Sequence, residues 1–131
     1  MEIGDTFIAR DPRVDDHLQI VISDPAQDPA RVVLVSLTSY DQFAHEMYKD
    51  ASCLLYPADH PWIEHATCVS YRDGRVVSDE HLDDAVAKGL LEKLEPVRDD
   101  VLKRIFEGAE RTDELPNKCR QILEEEGFIE G

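Results

Sequence analysis

The apolar positions of the chain change period near residue 78. Before it they alternate or run together over short stretches: "TFIA" from Thr6, "LQIVIS" from Leu18, "RVVLVSLTS" from Arg31 and "ATCVSYR" from Ala66, the last followed by "DG" and "RVVS". Period-two alternation and β-branched runs bounded by Asp, Pro and Gly predict strands, and the Asp73-Gly74 pair predicts a hairpin turn. Between them, residues 40–65 are irregular, broken by Pro57 and Pro61, with "SCLLY" as a candidate fourth strand. After Ser78 the spacing becomes helical. Ser78 or Asp79 caps a first helix with Leu82, Ala85 and Val86 inward, ending near Gly89. A second is predicted to open with Glu95 and Pro96, to bury Val97, Val101, Leu102, Ile105 and Phe106, and to end before Gly108. A third opens near Pro116, buries Leu115, Cys119, Ile122 and Leu123, and stops at Gly127.

Strands followed by helices predict an α+β fold, residues 1–131 as one domain: a β part over 1–78, read as a small antiparallel barrel or strongly bent sheet, and a helical part over 79–131. At 131 residues and 42% hydrophobic content the chain can bury one core. No apolar run is long enough to span a membrane, and the opening "MEIGDTFIARD" has neither a basic nor an apolar leader segment, so a soluble, non-exported protein is expected. Three widely spaced cysteines do not make a disulfide framework and fit a reducing cytoplasm.

Charge narrows the function classes. The net charge is -15, and both parts share it, -7 over residues 1–78 and -8 over 79–131. Such a field repels phosphate backbones, so any action on RNA needs a local site working against the global charge. Phosphate-cradling glycine loops, the nucleophile elbow and the His-Glu-x-x-His zinc motif are all missing, which disfavours a nucleotide-cofactor enzyme. The pairs Asp83-Asp84 and Asp99-Asp100 fall on helix faces read as solvated surface.

Two places could carry chemistry. His17 opens one apolar strand, while Ser36, Thr38 and Ser39 close the next, so antiparallel pairing sets an imidazole beside hydroxyls. Arg13 or Arg10, from the loop before His17, could neutralise charge on a phosphorane-like transition state. The second place holds Cys53, His60, His65 and Cys68. These are zinc-ligand types, but neither Cys-x2-Cys nor His-x3-His spacing is present, so no metal is assigned. His60 or His65 serves better as a second imidazole at the same mouth. Trp62, Tyr40 and Tyr56 could stack on bases, yet the basic residues that should interleave with them are scarce, and anchoring in core or loop is the expected role.

The stretch "GDTFIARDPRVDDHLQIVISDPAQDPARVVLVSLTS", residues 4–39, resembles the N-terminal half of the MazF/PemK-like toxins of type II toxin-antitoxin systems. That resemblance implies a small SH3-like β-barrel with appended helices, usually dimeric, and metal-independent cleavage of single-stranded RNA without a cofactor. It also implies a cognate antitoxin covering the site. Gly4 and Asp5 match the family's opening pair, and Thr38 matches its catalytic threonine. His17 departs from the pattern, standing where the family has an arginine. The expectation is a cytoplasmic endoribonuclease toxin, with His17 as general base or acid, Thr38 orienting the scissile phosphate and Arg13 stabilising charge. Ser36, Ser39, His60 and His65 would contact substrate. The competing expectation is a non-catalytic adaptor that binds a protein through its acidic helices.

Overall fold

A computed structural model describes residues 1–10, 13, 17–40 and 50–130. Six strands, β1 Thr6–Ala9, β2 Gln19–Val21, β3 Val32–Ser39, β4 Leu54–Leu55, β5 Thr67–Val77 and β6 Leu91–Leu94, form one antiparallel sheet in the order β4-β5-β3-β2-β1-β6. Three helices, α1 Asp79–Ala87, α2 Asp99–Arg111 and α3 Asn117–Glu125, complete the α+β fold.

The expected barrel does not close. β4 and β6 are the two edges of the sheet and do not pair with each other. Helices do the covering instead. On one face Ile20, Val33, Val35, Leu37, Val69 and Tyr71 pack against Val101, Ile105 and Ala109 of α2 and Cys119, Ile122 and Leu123 of α3. On the other, Phe7, Val21, Val32 and Leu34 meet Leu82 of α1. Burial on both faces explains why the central strands β2 and β3 read as nearly continuous apolar runs rather than alternating ones. The β and helical parts share this core, so neither face is closed without the other.

Asp73-Gly74 does not turn a hairpin. Leu34 pairs with Arg75 and Ser36 with Ser70, so Val35 alone faces the stretch from Tyr71 to Gly74, and β5 runs through a wide bulge and returns to the same partner. Ser70 Oγ donates to Asp73 Oδ2 at 2.6 Å across the bulge, and a Cβ on Gly74 would come within 2.9 Å of the Tyr71 carbonyl.

The first and third helices sit where their caps place them, Ser78 Oγ accepting from the His81 N–H and Gly127 following α3 at φ 81°. The second differs at both ends. Val97 N–H donates to the Gly4 carbonyl at 2.9 Å, holding residues 95–98 extended beside β1, so α2 begins at Asp99 rather than at Pro96. It also runs past Gly108. A Cβ there would lie 2.3 Å from the Tyr71 hydroxyl and 2.8 Å from Cys53 Cβ, so this glycine is a packing site inside the helix and not its stop. β6, absent from the sequence reading, pairs with β1 from Thr6↔Leu94 to Ala9↔Leu91.

Candidate functional site

Antiparallel pairing of β3 with β5 brings the end of one strand beside the start of the other, Ser39 opposite Thr67. Continuing the β2–β3 register, Gln19↔Ser36, two residues outward sets His17 across from Thr38. A cleft of about 520 Å³ opens at this corner of the sheet, lined by His17, Thr38, Ser39 and His65. Pro61, Trp62 and Glu64, from the segment between the short 3₁₀ turn Pro57–Asp59 and β5, line it as well.

Each imidazole of the cleft is held through one nitrogen. His17 Nδ1 donates to the Leu37 carbonyl at 3.0 Å, because a carbonyl only accepts; this tautomer leaves Nε2 as the ring's basic atom. His65 Nε2 lies 2.6 Å from Ser39 Oγ. The His65 backbone is fixed in turn, its carbonyl accepting from Thr67 Oγ1 at 2.9 Å, while Tyr40 N–H donates to the Ala66 carbonyl at 3.0 Å. Both rings are exposed. Two imidazoles at one opening can divide the work of proton removal and proton delivery, and a serine hydroxyl bonded to one of them can pass a proton.

The remaining expected residues fall elsewhere. His60 is 3% exposed and uses both nitrogens: Nδ1 accepts from the Trp62 N–H at 3.0 Å, and Nε2 donates to the Glu95 carbonyl at 2.5 Å. That ring ties the 3₁₀ turn to the residue following β6, and it is not part of the cleft lining where a substrate contact was expected. Ser36 lies within β3 between Gln19 and Ser70, away from the cleft lining. Arg13 stands in an exposed turn and does not line the cleft; the flanking residues 11, 12 and 14–16 of that loop lie outside the described residues. Among the described residues the lining contains no Lys or Arg.

Trp62 anchors in the core, as expected, and part of it also reaches the cleft. Glu64 was missed; the signal lay in "WIE", where a core isoleucine, Ile63 at 3% exposure, turns its two neighbours outward.

Behind the cleft the segment is clamped to α2. Arg104 donates from Nη1 to Asp59 Oδ1 at 2.8 Å and from Nη2 to the Leu54 carbonyl at 2.8 Å. Burial pushes the Asp59 carboxyl up, but the Arg104 guanidinium and the Tyr56 N–H outweigh it and hold the carboxyl below its ordinary value. Asp50 is likewise held low, burial being outweighed by hydrogen bonds from Ser52 and Thr112. Burial pushes the Cys53 thiol up to about 11, outweighing the nearby Arg104 charge and the hydrogen bond with Tyr71, which suits a packing role rather than a ligand. Among the described residues no three His, Cys, Asp or Glu side chains converge on a common point.

No family model matches the chain, and no curated protein or solved structure matches it either. Among the described residues no helix is long and apolar enough to cross a membrane.

Proposed function

We propose that the protein is a metal-independent endoribonuclease acting on single-stranded RNA at the His17/His65 cleft. The observation that carries this reading is the pair of exposed imidazoles lining one opening, each held through a single nitrogen. His17 Nε2 takes the proton of a ribose 2′-hydroxyl. The 2′-oxygen attacks phosphorus, the bond from phosphorus to the 5′-oxygen breaks, and His65, directly or through Ser39, protonates the departing 5′-oxygen. The products are a 2′,3′-cyclic phosphate and a 5′-hydroxyl, with atoms and charge balanced and no cofactor consumed. The Thr38 hydroxyl, at the lip of the cleft, orients the phosphate. His65 in its acid form carries the positive charge beside the phosphate, the described lining holding no Lys or Arg.

The toxin-like reading builds on this proposal. It implies a cytoplasmic protein, acting as a homodimer, and an antitoxin that blocks the opening between β3 and β5. Incubating the purified protein with a long single-stranded RNA in EDTA, then sequencing fragments by their 3′-ends, tests it: discrete fragments bearing cyclic phosphate are expected. Intact RNA from folded protein contradicts it.

One observation favours a non-catalytic adaptor as the second reading. Phe106 of α2 and Phe128 stack in parallel with centroids 4.8 Å apart, and with Leu102 they line a groove of about 400 Å³ rimmed by Asp99, Glu107 and Glu110 with the single base Lys103. Such a surface suits a basic segment with apolar anchors. Intact RNA together with binding of a Lys/Arg-rich amphipathic peptide at this groove would select that reading.

A further inference from the structure

We infer that Trp62 and Glu64 form a guanine-binding subsite on the wall of the cleft; the inference rests on the RNA-cleaving reading and names the base that the cleft selects. Trp62 packs part of its indole on the core and turns the rest to the cleft, which makes it a fixed platform on which a base can stack. Ile63 is pinned in the core between them. Glu64, exposed and lining the same cleft, makes no hydrogen bond or ion pair with any other described residue, so its carboxylate oxygens are available as acceptors.

The chemistry of that pair is selective. A carboxylate only accepts hydrogen bonds. Of the four RNA bases, guanine alone presents two adjacent donors on its Watson–Crick edge, N1–H and the N2 amino group, and pairs with a carboxylate through two parallel bonds. Adenine and cytosine set a ring-nitrogen acceptor beside their single amino donor, and uracil flanks N3–H with two carbonyls, so each of them brings a lone pair against Glu64. The acidic side chain then has a use in a cleft that receives RNA: it faces a base edge while the phosphate sits against His17 and His65. Stacking supplies binding common to all bases, and Glu64 supplies the choice between them.

The chain holds one tryptophan, Trp62, so its intrinsic fluorescence reports directly on this wall. Titrating the full-length protein with the 3′-monophosphates of guanosine, adenosine, cytidine and uridine is expected to quench that emission, with guanosine binding about tenfold tighter or more. Glu64→Gln, an exposed change that leaves the fold intact, is expected to remove the guanine preference while the other three nucleotides bind at least as well. Equal affinity for all four, no quenching by any of them, or a preference that survives Glu64→Gln overturns the subsite. Sequencing of RNA cleavage sites separates the two ideas: cuts without a recurrent guanine refute the subsite and leave the nuclease standing, whereas guanine-selective quenching with intact RNA refutes the nuclease and leaves the subsite.

Discussion

His60 and His65 sit five residues apart in one segment and do opposite things. His60 is buried with both ring nitrogens committed, one accepting from Trp62 N–H and one donating to the Glu95 carbonyl. His65 is exposed, bonded through Nε2 to a serine hydroxyl at the lip of a cleft. A buried ring that satisfies two backbone groups is a strut; a ring held through one nitrogen at an opening can exchange protons. Residue type is identical in the two cases, and the hydrogen-bond accounting separates them.

The sharpest way to break that contrast is to truncate each ring. His65→Ala and His17→Ala are each expected to lower RNA cleavage by about 10²–10⁴-fold, the usual worth of a positioned acid or base, while urea denaturation curves stay on the wild-type midpoint. His60→Ala is expected to do the reverse, costing about 2–4 kcal/mol by stripping partners from Trp62 N–H and the Glu95 carbonyl and leaving a cavity. Activity loss in His60→Ala beyond its unfolded fraction would erase the distinction.

The clamped side of the molecule offers a second expectation. Gly108→Ala forces a methyl group into the Tyr71 hydroxyl, which donates to the Ile105 carbonyl at 2.6 Å. The expected cost is about 3 kcal/mol, read from the same denaturation curves; a shift below about 1 kcal/mol would mean that α2 slides to accommodate it.

Acid should act on this side too. The folded carboxyls of Asp59 and Asp50 are held below their ordinary values, so the unfolded chain binds protons first as pH falls. Their stabilisation is therefore complete above about pH 4 and is lost as pH drops through their lowered folded values. Thermal midpoints between pH 7 and pH 2.5 check this, and Asp59→Asn should flatten part of the fall.

The smallest expected effect concerns salt. With the described lining free of Lys and Arg, only one or two phosphates are held, and the logarithm of RNA affinity should fall with log salt at a slope no steeper than about -1.5. A steeper slope would point to a basic surface contributed from outside the cleft.

How much of this was legible depends on the range of the determinant. Caps and stops are local, so Ser78 and Gly127 announced the bounds of α1 and α3. The His17, Thr38 and Ser39 juxtaposition was legible as well, because it needs only an antiparallel partner and a register. Non-local contacts were not. β6 is four residues long with weak patterning, and what makes it a strand is the edge of β1; Val97 is kept out of α2 by the Gly4 carbonyl. Gly108 reads as a stop by its type and is a contact by its neighbours. The same holds at the site: nothing in "ADHPWIEH" separates the inward His60 from the outward His65 until Glu95 is seen to receive the first.

The central claim is that two imidazoles divide one proton-transfer reaction, and the most direct measurement is the pH dependence of single-turnover RNA cleavage in EDTA by wild type, His17→Ala and His65→Ala. The wild type is expected to give a bell, His17→Ala losing its acid limb and His65→Ala its alkaline limb, because base and acid are needed in opposite protonation states. A bell that survives both substitutions unchanged would place the chemistry elsewhere on the molecule.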